Sequence, residues 1–196
     1  MSVAAQDTVK VKELTHRAEV CVESGKLYEA IIIYRDILDL DANNCRSANA
    51  IAGLYGQMHQ YADQITWAKK ALAINPKYAV AYITMGNGYG ASGEEEKAED
   101  CYRKADQLML DSPIPPYCIA VVQEKEGQAR NAITNYQRSI DRDPNFVDGY
   151  CGMAVCYAMI QDYPTAQKYI DQALAIDPKS AKALEIKGRI ADAAKH

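Results

Sequence analysis

Residues 79–110 read AVAYITMGNGYGASGEEEKAEDCYRKADQLML, two helical patterns joined at one glycine. In the first, Tyr82, Met85, Gly86 and Tyr89 recur at the three- and four-residue spacing that lays side chains on one helix face. Gly93 stops it, because a residue without a Cβ enters the left-handed C-terminal conformation cheaply. Glu94, Glu95 and Glu96 open the second pattern, where negative charge opposes the positive end of the helix dipole. Its apolar stripe is Ala98, Cys101, Tyr102, Ala105 and Leu108. Gly86 and Ala98 are expected to face each other at the helix crossing, where a large side chain would hold the backbones apart.

The pattern repeats with a period of 34 residues, the distance from Pro144 to Pro178. Ala30, Ala98, Ala132 and Ala166 share one column of this grid, which Gln64 interrupts. Four residues on stand Tyr34, Ala68, Tyr102, Tyr136 and Ile170. Another column runs Cys21, Tyr55, Tyr89, Gln123, Tyr157, and the turn column is Gly25, His59, Gly93, Gly127, Gln161. Five units follow without insertion, at 11–44, 45–78, 79–112, 113–146 and 147–180. An N-terminal extension, 1–10, precedes them. A capping helix, 181–196, follows, its Lys182, Lys187, Arg189 and Lys195 spread around a modest apolar stripe. Terminal units of a stack need such a polar outer face.

One stretch resists this reading. SPIPPYCIA, residues 112–120, packs three prolines into four positions. Proline inside a helix removes a hydrogen bond and clashes with the preceding turn. On the grid, Pro113, Pro115 and Pro116 fall in an opening turn, whose amides have no internal partner, so a late helix start is expected. A hinge between the first three and last two units is the alternative. Leu110 stands where other units carry proline, which predicts a longer second helix in the third unit.

Composition narrows the function. The 196 residues are 48% apolar and 24% charged, with a net charge of −4. This is globular composition and lacks the basic signature of a nucleic-acid binder. No apolar run approaches membrane-spanning length, and MSVAAQDTVKVKEL lacks a basic start followed by an apolar core, so neither membrane insertion nor a signal peptide is expected. Six cysteines without a C-x-x-C pair read as reduced, buried thiols of a cytoplasmic protein. His16, His59 and His196 sit beside no recognisable nucleophile, and no H-E-x-x-H or phosphate-loop motif occurs. The glycines of MGNGYGASG fall within one predicted helix and its turn, and the carboxylates of GEEEK diverge around a helix start. A non-catalytic protein without metal or cofactor is the expectation.

Tyr82-x2-Met85-Gly86-x2-Tyr89 followed by Ala98-x3-Tyr102 resembles the tetratricopeptide repeat, whose signature is W-x2-L-G-x2-Y and A-x3-F. Tyr150-x2-Met153-Ala154-x2-Tyr157, Ala166 and Pro178 resemble it again. The first unit diverges most, with Leu14, Arg17, Ala18 and Cys21 in the signature columns. The resemblance implies an all-α, right-handed superhelical solenoid of antiparallel helix pairs whose first helices line a concave wall.

By the same resemblance that wall offers Lys12, His16 and Glu19 in the first unit, then Arg46, Asn49 and Gly53. Val80, Ile83, Thr84 and Asn87 follow, then Ile114, Tyr117, Cys118 and Val121. The fifth unit adds Asp148, Cys151, Gly152 and Val155, and the cap Lys182, Glu185 and Arg189. The middle is apolar and small, widened by Gly152, which suits an aliphatic side chain or an amphipathic helix of a partner protein. Helix axes pack about 8–10 Å apart, long for a Cys118–Cys151 disulfide, so both thiols are read as groove lining. One branch of the family grips acidic chaperone tails with Lys, Arg and Asn side chains. Here Ile83, Cys118, Asp148 and Gly152 occupy those places beside Asn87. One unit earlier the set is Asn49, Gly53, Thr84, Ile114 and Cys118. Neither holds a carboxylate by paired charge, so chaperone-tail binding is not expected. The expected function is a protein-interaction scaffold taking a peptide or helical segment in its groove. The alternative is a self-associating adaptor that assembles through convex and end surfaces.

Overall fold

The computed structural model describes residues 3–194. Eleven helices and no strand are found among the described residues. The longest, α1, covers Val3–Glu23, so residues 3–10 are helical and continuous with the first unit. The order continues α2 (Leu27–Leu40), α3 (Cys45–Gln57), α4 (Tyr61–Ile74), α5 (Ala79–Ala91), α6 (Glu95–Leu108), α7 (Ile114–Lys125), α8 (Ala129–Arg142), α9 (Val147–Met159), α10 (Tyr163–Ile176) and α11 (Ala181–Ala193). Met1 and Ser2 of the 1–10 extension, and Lys195 and His196 of the 181–196 cap, lie outside the described residues.

The even-numbered helices start 34 residues apart and each spans 14 residues. This corrects the longer helix expected of the third unit. Without a proline at Leu110, α6 still stops at Leu108, on the stride. The chain then turns through residues 109–113, and two side chains of α8 hold that turn. Arg142 donates to the carbonyl of Ser112 at 3.0 Å and to Asp106 Oδ1 at 2.6 Å, while Ser139 Oγ donates to the Pro113 carbonyl at 2.9 Å. The prolines sit where expected. Pro113 is the N-cap of α7, and Pro115 and Pro116 lie in its first turn, so α7 begins at Ile114, one residue behind the stride.

Every residue of the turn column has a positive φ: Gly25 73°, His59 59°, Gly93 78°, Gly127 75° and Gln161 64°. The next residue returns its amide to the carbonyl of the column headed by Cys21. The bonds are Lys26 to Cys21, Gln60 to Tyr55, Glu94 to Tyr89, Gln128 to Gln123 and Asp162 to Tyr157, at 2.8–2.9 Å. This is the capping arrangement that satisfies the last carbonyls of a helix.

The chain divides into two compact units at Lys104/Ala105, inside α6 and not at the prolines. In unit 1, Leu14 and Ala18 of α1 pack with Ala30, Ile31, Tyr34 and Ile37 of α2 and with Ile51 and Leu54 of α3. Gly86 does not face Ala98. A Cβ on Gly86 would lie 2.6 Å from a carbon of the Tyr102 ring, and Ala98 lies opposite Gly90 instead. The larger residue four positions on decides the contact, because its ring needs the space that glycine leaves.

The exceptions at Gln64 and Ala68 compensate each other. Ala68 surrenders the ring position and is fully buried. Gln64, 5% exposed, fills space beside Gly56 and Gly88 and donates to the Thr84 carbonyl at 2.8 Å. The bond removes the penalty of burying an amide.

In unit 2, Ala120, Ala132 and Tyr136 pack against Met153 and Cys156. Cys151, Ala154, Ala166 and Ile170 pack against Ala183 and Ile186, so α11 covers the apolar side of the preceding pair.

Candidate peptide-binding groove

The residues read as groove lining fall on α1, α3 and α5 in unit 1 and on α7, α9 and α11 in unit 2. In unit 1, Lys12, His16 and Glu19 are exposed on α1. Arg46 is exposed and Asn49 and Gly53 are half-buried on α3. Asn49 Oδ1 is shielded from water without a hydrogen-bond partner. A Cβ on Gly53 would meet nothing within 4 Å, so this position is open. On α5, Val80 is 40% exposed and Ile83 and Thr84 are half-buried. Thr84 spends its hydroxyl on the Val80 carbonyl, and Asn87 accepts from Tyr102 Oη at 2.8 Å.

Unit 2 holds a cavity of about 170 Å³. Tyr117, Val121 and Glu124 enter it from α7 and Tyr136 from α8. Asp148, Cys151, Gly152 and Val155 come from α9, and Lys182 and Ile186 from α11. Of the residues read from sequence, the structure brings together Tyr117, Val121, Cys151, Gly152 and Val155 here. Ile114, 37% exposed, and the half-buried Cys118 lie outside the lining. A second cavity of about 300 Å³ shares Val155 and Ile186 and adds Ala158, Met159, Tyr163, Arg189 and Ile190.

Two expectations change. Gly152 does not widen the groove: the Tyr136 ring lies against it, and any Cβ there would overlap that ring. Cys151 borders the cavity but is fully buried in the core shared with α10 and α11. Burial also pushes the Cys118 thiol up to about 12, so it stays protonated and inert at neutral pH. The six cysteines are free thiols.

The polar groups form two pairs. Tyr136 Oη donates to Glu124 Oε2 at 2.6 Å. Burial, and then the Glu124 charge, raise the phenol far above its usual range, so it remains a donor. Lys182 Nζ donates to Asp148 Oδ1 at 2.6 Å and to Tyr117 Oη at 3.3 Å, and lies 5.6 Å from the Tyr117 ring centre. Burial works against the ammonium, but the Asp148 and Tyr117 bonds outweigh it and raise its pKa.

Sequence reasoning missed Glu124, Tyr136 and Ile186. Tyr136 stands in the core column and Glu124 in the column of Gly56 and Gly90. Only the ring's lean over Gly152 carries its hydroxyl to Glu124.

Among the described residues no group of His, Cys, Asp and Glu is arranged to hold a metal ion, and no helix is long and apolar enough to cross a membrane.

Models of the tetratricopeptide repeat match residues 124–190 and residues 79–108. The chain is 24% identical over 140 residues to anaphase-promoting complex subunit 3 of Schizosaccharomyces pombe, which covers 71% of this chain and 21% of that protein. It therefore spans about a fifth of that relative's length. Among solved structures, PilF of Pseudomonas aeruginosa superposes with a TM-score of 0.83 at 17% identity, covering 97% of this chain and 89% of that one. YrrB, a TPR protein with an unusual peptide-binding site, superposes with a TM-score of 0.68 at 18% identity, covering 93% and 97%. The helix stride, the left-handed turn column and these matches lead to one conclusion: the chain belongs to the tetratricopeptide repeat family and has its all-α solenoid fold.

Proposed function

We propose that this chain is a non-catalytic scaffold that binds a peptide or helical segment of a partner protein along its first-helix faces. Proteins of this family and fold are typically non-catalytic scaffolds. The observation that carries the reading is the unit 2 cavity, where the aliphatic groups of Val121, Val155 and Ile186 border unfilled space. An aliphatic side chain entering it gains about 25 cal/mol per Å² of apolar surface removed from water. In unit 1, Arg46, Asn49, Val80, Ile83, Thr84 and Asn87 offer a separate candidate stretch on α3 and α5. YrrB, a structural neighbour, is itself a peptide-binding protein. Free thiols fit a cytoplasmic location.

The test is selection from a random-peptide library on the intact chain, repeated with Val155→Glu and with Ile83→Glu. Val155→Glu is expected to abolish capture by unit 2 and Ile83→Glu any capture by unit 1, each with helicity by circular dichroism unchanged. Capture that survives both substitutions moves the binding site elsewhere. An acidic chaperone tail is a poor guest, since Asp148 stands where a basic residue would be needed. Isothermal titration with such a tail peptide is expected to give no heat; micromolar affinity would refute this.

Tyr28 at 62% and Ile32 at 59% exposure on α2 favour the second reading, a self-associating adaptor. Light scattering over a concentration series separates the two, since only the adaptor gains mass.

A further inference from the structure

The peptide-groove reading says that a guest binds; the charges in the unit 2 cavity say which kind. We infer that this cavity selects a guest carrying Lys or Arg beside an aliphatic residue, with Glu124 and Asp148 as the acceptors and Lys182 as a built-in competitor. The inference rests on the groove reading above.

Two carboxylates and one ammonium line the cavity, an excess of one negative charge. Each carboxylate is half engaged. Tyr136 holds Glu124 Oε2 and Lys182 holds Asp148 Oδ1, which leaves Glu124 Oε1 and Asp148 Oδ2 to a guest. The two engagements differ in strength. Tyr136 is 1% exposed and wedged against Gly152, so its hydroxyl cannot swing away and Glu124 is held in place. The Lys182 and Asp148 side chains are 50% and 47% exposed, and a pair so open to water contributes little and exchanges readily. A guest ammonium or guanidinium can therefore displace Lys182 from Asp148 while Glu124 waits in fixed position. A guest carboxylate would meet Lys182 only by approaching both acids. The walls agree with this choice. Val121, Val155 and Ile186 suit the methylene stem of a Lys or Arg whose charged head reaches the rim, together with a neighbouring aliphatic residue.

The test starts from the random-peptide selection on the intact chain. Enriched sequences are expected to carry Lys or Arg next to Leu, Ile or Val. Enrichment of acidic neighbours, or of aliphatic residues without charge preference, overturns the inference but leaves the groove reading intact. Enrichment that Val155→Glu does not abolish overturns the inference, and enrichment that also survives Ile83→Glu overturns both.

A selected peptide is then titrated, alongside its Lys→norleucine version, against wild type, Glu124→Gln and Lys182→Gln. Gln still accepts from Tyr136, and circular dichroism checks the fold. Glu124→Gln is expected to weaken the basic peptide about tenfold. Lys182→Gln is expected to tighten it about threefold by removing the competitor. The norleucine peptide is expected to bind all three proteins alike. Weakening by Lys182→Gln, or equal effects on both peptides, would sink the inference. Light scattering on the chain alone covers the remaining occupant: mass that grows with concentration and is lost in Glu124→Gln would assign the cation to a second copy, overturning a separate partner.

Discussion

In unit 1 and unit 2 a tyrosine of one grid column leans on a glycine, but on a glycine of a different column in each, and the surfaces that result differ. Tyr102 of α6 leans back on Gly86 of α5, within the repeat 79–112, whereas Tyr136 of α8 leans forward on Gly152 of α9, in the following repeat. The rings are 6% and 1% exposed. The hydroxyls then part company. Tyr102 meets the neutral amide of Asn87, which is itself exposed, and Tyr136 meets the carboxylate of Glu124 at the edge of a cavity. The same tyrosine column therefore borders a plain surface or a charged recess, depending on which neighbouring helix offers the glycine and which residue lies within reach of the hydroxyl.

The comparison breaks most directly at the glycines. Gly152→Val drives two branched methyls into the Tyr136 ring and is expected to cost about 3 kcal/mol in urea unfolding, the upper range of overpacking. Gly86→Ala meets Tyr102 less severely and gains helix propensity, so its expected cost is about 1 kcal/mol. Gly53→Ala, with nothing within 4 Å of the new Cβ, is expected to stabilise by about 0.5 kcal/mol. Equal effects at Gly152 and Gly53 would mean that the ring contact does not hold.

Removing Arg142 comes next. Arg142→Met leaves Asp106, whose side chain is 15% exposed, with Arg138 alone, and frees the Ser112 carbonyl. A loss of about 2 kcal/mol is expected, with faster proteolysis in residues 109–113. Unchanged cleavage there would refute the role of Arg142 in holding the proline turn.

Tyr136→Phe and Tyr102→Phe separate the two hydroxyls. The first strands a charged acceptor and is expected to cost about 1.5 kcal/mol; the second strands an exposed amide and is expected to cost about 0.5 kcal/mol. The reverse order would show that the acceptor's charge does not matter.

The smallest effects are at the turns. His59→Gly and Gln161→Gly remove side chains from positive φ and are each expected to add about 0.5 kcal/mol, offset by greater freedom of the unfolded chain. Destabilisation by more than the corresponding error in the urea midpoint would point to side-chain contacts that outweigh the strain.

Much of the fold was legible because it is local. The glycines at 25, 93 and 127 announce left-handed turns, and the stride then assigns the same conformation to His59 and Gln161, whose residue types give no hint of it. Position on the grid did the work that composition could not. The prolines were legible for a similar reason, since a helix's first amides need no partner wherever the helix stands. The Gly86 contact was not. Spacing put small residues near a crossing, but whether Ala98 or Tyr102 filled the space depended on how far a ring reaches. The same limit hid Glu124 and Tyr136 from the groove reading.

Sequence by itself determined the helices, their stride and the turns between them, because hydrogen bonds and steric preferences over a few residues settle each one. Tertiary structure alone decided that Lys182 meets Tyr117 and Asp148, 65 and 34 residues away, and that Gly152 is filled by Tyr136. Those outcomes depend on which side chains fill shared volume across neighbouring helices, and close packing allows one arrangement that no single stretch of sequence encodes.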